Sequence, residues 1–335
     1  MSEFRQNLAT KEWVIIAPGR DQRPYDFSNR EEARPVPPIF RGDCPFCLGN
    51  EALTGSELLR RSRDGRWLMR VVQNKYSALS SDASVQREQH GLFLKSGSYG
   101  HAEVIIESPR HNDTLATMEF EHLHELLRMY RRRMAEISMM SNIAIVMLFR
   151  NWGPHAGTSL EHPHSQIIAS PIIPPNIRDP FQKAALHYDS YGSCVYCDLM
   201  HEEIRQQERM VFENEHYVVF CPFASRTPYE LRIYPRVHNA SFFWSPKEEF
   251  GDMAEALQLC LRSMHGLLGN PSYNLIVRTS PVGDEDVRYL HWYMVIVPRL
   301  STPAGFEMGS GIYINPAPPE QCARELRNFL ANSVS

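Results

Sequence analysis

The run His162-Pro163-His164-Ser165-Gln166 sets two imidazoles and a carboxamide at alternate positions. In extended backbone, residues two apart project from one face, so His162, His164 and Gln166 line up together. Pro163 stiffens that spacing and suits entry into a strand. A neutral imidazole attacks phosphorus near neutral pH without first losing a proton. A neighbouring amide can donate to a phosphoryl oxygen as charge gathers on it. The spacing therefore offers His164 as a nucleophile and Gln166 as a stabilising donor. Taken alone, the motif also fits His164 as a third metal ligand or a buried strand histidine. The loop just before it, from Asn151 to Ser159 (NWGPHAGTS), favours phosphate chemistry. Gly153 and Gly157 allow close backbone approach to an anion, and Asn151 and Ser159 supply side-chain hydrogen bonds.

The second kind of chemistry is metal binding. Cys44 and Cys47 form CPFC, and Cys194 and Cys197 form CVYC. A Cys-x-x-Cys turn brings two thiolates toward one tetrahedral ion, and zinc favours sulfur with imidazole. His111 with His162, and His238 with His291, stand at matching places after the two pairs. Two zinc sites follow as expectations: Cys44, Cys47, His111 and His162, then Cys194, Cys197, His238 and His291. Four protein ligands close a site, which makes the metal structural and not the Lewis acid of the reaction. Either Cys-x-x-Cys alone also fits a redox pair or two core cysteines. Cys260, on a helical segment, reads as a small core residue.

The elements that would position these groups occur twice. Helical periodicity runs from about Glu119 to Met140, with Leu123, Leu127, Tyr130, Met134 and Ile137 on one face. It recurs from about Lys247 to Leu268, with Phe250, Met253, Leu257, Leu261 and Met264 in register. Each helix precedes a β-type run, Ile143 to Phe149 and Tyr273 to Val277, then a loop, then another run, His164 to Ile168 and Tyr293 to Val297. With the order Cys, Cys, His, His also repeated, the chain reads as two related α+β halves. Each is an antiparallel sheet with a long packed helix. The first would span 1–178 and the second 179–335, divided at the proline-rich stretch from Pro171 to Pro180. Pairing of the halves would give one extended sheet or half-barrel. Tyr293 occupies the nucleophile's place in the second half, so only the first keeps it. The first forty residues, rich in Arg and Pro, read as an extended arm with short strands. Arg131, Arg132 and Arg133 read as a solvated helix face.

Composition limits the classes of function. The chain has 335 residues, 43% hydrophobic and 22% charged, with a formal charge of -4. That supports a sizeable core and argues against a nucleic-acid coat, which is normally basic. No apolar run approaches the roughly 18 residues of a membrane span, and the N-terminus lacks an apolar signal core. The expected compartment is the cytoplasm, where seven cysteines serve as thiols or metal ligands.

CPFC, SPRH and NWGPHAGTSLEHPHSQ together resemble the galactose-1-phosphate uridylyltransferase family, a branch of the histidine triad superfamily. The resemblance covers nearly the whole chain and rests on the order of the motifs. It implies that the second His of HPH, here His164, forms a covalent nucleotidyl intermediate beside Gln166. It places family zinc ligands on Cys44, Cys47, His111 and His162. It implies substrate contacts from Arg20 and Arg23 in PGRDQRP, from Asn74 in RVVQNKYSAL, from Asn151, Gly157 and Ser159 in the loop, and from Glu307. It also implies a homodimer acting on a nucleoside diphosphate sugar and a sugar phosphate or inorganic phosphate. The expected reaction is a ping-pong UDP-glucose:hexose-1-phosphate uridylyl transfer. CVYC with His291, and the segment AGFEMGSGIYINP, look more like the ADP-glucose phosphorylase branch, in which an adenylyl group passes to phosphate. From a different class, a zinc-stabilised binding module would explain the Cys and His pairs. It leaves His164, Gln166 and the glycine loop without a role.

Overall fold

A computed structural model describes residues 1–19 and 36–333. The first half contributes β1 (Glu3–Gln6), β2 (Trp13–Ile16), β3 (Glu57–Arg63), β4 (Arg66–Gln73), β5 (Arg87–His90), β6 (Phe93–Ser96), β7 (His101–Ile106), α1 (Phe120–Ser138), β8 (Ile145–Trp152) and β9 (His164–Ser170). There follow α2 (Pro175–Tyr191), α3 (Val195–Gln206), β10 (Met210–Glu213), β11 (Tyr217–Phe220), β12 (Leu231–Pro235), α4 (Phe250–Leu268), β13 (Tyr273–Arg278), β14 (Tyr293–Pro298), α5 (Gly305–Ser310), β15 (Tyr313–Asn315) and α6 (Pro319–Ser333).

Ten of these strands form one sheet in the order β10-β11-β12-β14-β13-β8-β9-β7-β4-β3. Every pairing in it is antiparallel. Counted outward from the β8–β13 seam, the sequence β8-β9-β7-β4-β3 on one side answers β13-β14-β12-β11-β10 on the other. The helices α1 and α4 enter at the same point of each series. The fold is thus the α+β arrangement of sheet plus long helices that the repeated pattern implies, in its extended-sheet form. The expected division at 178/179 falls inside α2.

The two long helices lie together on one face of the sheet and share one core with strands from both halves. All ten apolar residues assigned to their inner faces are buried. At about 1.5–3 kcal/mol for each fully buried large apolar side chain, this contact is a principal stabilising term of the fold. The opposite face, carrying alternate residues of β8 and β9, stays partly open.

Two local expectations fail. Arg133 is buried, and its guanidinium donates to both oxygens of Glu103 on β7 at 2.6 and 2.5 Å. Within the run, Arg132 is the outward member, paired with Glu136. The proline-rich stretch after β9 is also no open linker: it turns into α2. Pro175 opens that helix where a missing N–H costs nothing, and Gly192 closes it at φ +71°.

Candidate active site

The strand that bears His164, β9, is edged by β7 and β8, with Ile106 opposite His164 and Phe149 opposite Gln166. His164 and Gln166 point to the open face, and Ser165 points to the helix side. His164 is 7% exposed, and its Nδ1 lies 2.8 Å from the backbone oxygen of His162. A carbonyl only accepts, so Nδ1 carries the proton and Nε2 keeps its lone pair. Burial pushes the imidazolium form of His164 down; the His162 carbonyl and the Glu107 carboxylate oppose this, and burial prevails. The result is a neutral, oriented imidazole. The Phe46 ring, from the CPFC turn, meets His162 and His164 edge-on, with centroids 5.9 and 5.3 Å away.

Cys44, Cys47, His111 and His162 converge, all four buried, with their ligand atoms within 4.8 Å of one another. Nδ1 of His111 lies 3.5 Å from the Cys47 sulfur, and Nδ1 of His162 lies 3.6 Å away. Zinc bonds of about 2.3 Å to sulfur and 2.0–2.1 Å to nitrogen put tetrahedral S···N edges near ~3.6 Å, so this donor set fits the ion. His162 donates from Nε2 to the Ser108 carbonyl at 2.8 Å, which leaves Nδ1 free to ligate. Burial holds the His162 ring neutral, pushing it down to about 4.

In the second half, Cys194, Cys197 and His238 gather within 4.8 Å. Nδ1 of His291 is a fourth donor, 3.2 Å from the Cys197 sulfur, as is Nδ1 of His238. Cys194 stands at the N-cap of α3, with Cys197 in its first turn. The Cys197 thiol draws Cys194 below the ordinary thiol value, and Cys194 with burial pushes Cys197 above it. Next to this group the position matching His164 holds Tyr293, stacked on Tyr234 at 4.7 Å with the rings 2° apart.

Of the substrate residues, Arg20 and Arg23 lie outside the described residues. Asn151, next to last in β8, lies on the open face, and its Oδ1 accepts from Nδ2 of Asn274 at 2.8 Å. Gly157 adopts φ +82°, a left-handed conformation that favours glycine, and Ser159 is exposed. Asn74 follows β4 and caps its own turn, Oδ1 accepting from the Tyr76 N–H at 3.0 Å. Glu307, on α5, is not brought to His164. It lines a cavity of about 900 Å³ over the second half, together with Arg232, Arg278 and Tyr293, and neither His164 nor Gln166 belongs to that lining. Trp152, the last residue of β8, is buried, and its Nε1 donates to Asn270.

Sequence reasoning missed the groups that hold the site. Phe46 is the second spacer of CPFC, a position no ligand rule singles out. Glu107 closes the apolar run VII in front of SPRH, and a charge there was the available signal. Asn274 lies in the other repeat and left no mark near Asn151.

Comparison with known proteins bears on this arrangement. The family described as galactose-1-phosphate uridyl transferase, N-terminal domain, matches residues 1–174. A domain of unknown function (DUF4921) matches residues 105–333. The chain is 34% identical over 330 residues to an ADP-glucose phosphorylase from Arabidopsis thaliana, covering 97% of this chain and 92% of the relative. It is 30% identical over 336 residues to a galactose-1-phosphate uridylyltransferase from Thermotoga maritima, covering 98% of each. A crystal structure of an Arabidopsis thaliana ADP-glucose phosphorylase with bound ADP-glucose superposes with a TM-score of 0.83 at 31% identity, over 98% of this chain and 99% of that one.

Proposed function

The chain belongs to the galactose-1-phosphate uridylyltransferase family, and from that premise we propose nucleotidyl transfer in two displacements through a covalent nucleotidyl group on His164. A nucleoside diphosphate sugar lies along the open face of β8 and β9. Nε2 of His164 attacks the α-phosphorus; the P–N bond forms, the bond to the bridging oxygen breaks, and sugar 1-phosphate leaves. The Nδ1 proton stays on the ring, hydrogen-bonded to the His162 carbonyl, and steadies the positive charge of the phosphorylated imidazole. Gln166 donates to a non-bridging oxygen as charge builds there. A hexose 1-phosphate then attacks from the vacated side and releases His164. Two displacements keep the phosphoanhydride's free energy, which direct hydrolysis would dissipate. The observation that carries this reading is the Nδ1–carbonyl bond, which leaves Nε2 as the free nitrogen on the open face.

In this reading Arg20, Arg23, Asn74, Asn151, Gly157 and Ser159 bind the donor, and Glu307 binds substrate in the separate cavity over the second half. Cys44, Cys47, His111 and His162 hold one zinc, and Cys194, Cys197, His238 and His291 a second. Closed by four ligands, the first ion would supply rigidity to the strand entry and leave the transfer to His164. The repeats run from 1 to 178 and from 179 to 335, and the enzyme works as a cytoplasmic homodimer. Among the described residues no helix is long and apolar enough to cross a membrane.

The first assignment of specificity is uridylyl transfer from UDP-glucose to galactose 1-phosphate. A second, adenylyl transfer from ADP-glucose to inorganic phosphate, is favoured by the second Cys₂His₂ donor set, which resembles that branch. Intact-protein mass spectrometry after mixing with UDP-glucose, UDP-galactose or ADP-glucose separates them. A uridylyl adduct supports the first and an adenylyl adduct the second. Either must vanish in His164→Ala while that variant stays folded. A folded, metal-loaded protein that gives no adduct with any donor would overturn the proposal and return the binding module.

A further inference from the structure

Behind the strand that bears His164 lies a buried polar group with no part in the transfer as described. Glu107 follows β7 directly and is 0% exposed. Its backbone N–H donates to the carbonyl of Pro163 at 3.1 Å. Its Oε1 accepts from the Ser165 hydroxyl at 2.5 Å and from the Tyr130 hydroxyl at 2.7 Å. One residue therefore grips the chain immediately before and immediately after His164. Arg150 of β8 closes the group from the other side, its Nε 3.1 and 3.0 Å from the two carboxylate oxygens. Nη1 of Arg150 donates to the Tyr273 hydroxyl on β13 at 2.9 Å. Tyr130, Arg150 and Ser165 are each at most 1% exposed.

We infer that Glu107 is a positioning residue, which fixes the backbone rung between His164 and Gln166 through Pro163 and Ser165; the inference rests on His164 being the nucleophile. Because side chains alternate across a strand, Ser165 can be held from the helix side only if His164 and Gln166 face the other way. Fixing Ser165 therefore fixes the direction of both reacting groups. Misplacement of a nucleophile by about 1 Å is enough to cost ~10²-fold in rate. A purely structural role makes the opposite demand. Replacing a buried ion pair with apolar residues of similar volume is often neutral or stabilising, whereas removing one partner alone is not.

Two variants separate these roles. Ser165→Ala removes the side-chain half of the grip, after His164, and keeps the ion pair; the double variant Glu107→Leu with Arg150→Met removes that half with both charges, and the backbone bond to Pro163 persists in each. Measured against wild type are the melting temperature, the donor KM, the single-turnover rate of adduct formation, and the ¹⁵N spectrum of histidine-labelled, ligand-free protein. The His164 signal is assigned by its loss in His164→Ala. The expected result is a ~10- to 100-fold slower adduct in both variants, with donor KM within about 3-fold. The double variant melts no lower than wild type. The His164 ring changes from a single Nδ1–H tautomer to a mixture. Wild-type rates together with an unchanged His164 signal in both variants would overturn the inference. If wild type itself forms no adduct, the transfer reading fails, and the ligand-free spectrum still decides whether Glu107 orders His164.

Discussion

At the scale of single residues, burial keeps His164 neutral and so suits it to the proposed attack. Its folded pKa lies below the ordinary 6.5, so the neutral form persists as pH falls to that lower value. The single-turnover adduct rate should therefore fall to half its plateau at a pH below 6.5. A profile taken between about pH 5 and 8 checks this, and a limb at or above the free-histidine value would contradict it. Gln166 offers a cleaner test of charge stabilisation. It is half-buried on the open face, and among the described residues its carboxamide has no hydrogen-bond partner. Gln166→Ala should leave the melting temperature unchanged and slow adduct formation by about 10²–10³-fold, the usual worth of one such donor. The shared face of the two residues was legible in the sequence because strand geometry preserves a spacing of two. Glu107 was not, since its partners Arg150 and Ser165 lie 43 and 58 positions away.

At the scale of elements, the CPFC turn and the strand entry behave as one piece. Cys47 is fully buried against both histidines, and Phe46 braces the rings of His162 and His164. Cys47→Ser should lower the zinc content, the melting temperature and the adduct rate together. Cys197→Ser, at the half-buried second group, should lower zinc content and melting temperature but leave the rate of the first displacement near wild type. Elemental analysis, thermal melts and quenched mass spectrometry on the two proteins test that contrast. The helices α1 and α4 were readable from periodicity because packing against the sheet demands an apolar stripe, and the residues marked for it are buried. α2 was not, because its two prolines spoke against a helix. Pro175 sits at its first position and Pro180 falls inside it, while Ile177 and Ala184 are buried and anchor it. The run of three arginines misled for another reason. Periodicity turns Arg133 inward, and the carboxylate waiting there belongs to β7, 30 positions earlier.

At the scale of the whole molecule, the second half reaches into the first. Asn274 on β13 donates to Asn151 at 2.8 Å and to the Ala156 carbonyl at 3.0 Å. Ser272 accepts from the His155 N–H at 3.3 Å. The glycine loop is thus held from the repeat that carries Tyr293 in the place of His164. Asn274→Ala should slow adduct formation about 10-fold and raise the donor KM, since a loosened loop misplaces the phosphates; steady-state and single-turnover kinetics measure both. The duplication itself was visible in the recurring Cys, Cys, His, His order. The seam was not, because antiparallel pairing between β8 and β13 joins residues more than 110 positions apart and leaves no local trace. That seam has a consequence for shortened chains. A fragment ending at Gly192 would lose β13 and bare the eight-residue edge of β8, with its row of unsatisfied backbone groups. The edge that most resembles the missing partner is β8 of another copy. Such fragments should zip together about a two-fold axis and leave a sizing column as dimers or larger aggregates, rebuilding from two pieces the ten-stranded sheet that one gene now encodes.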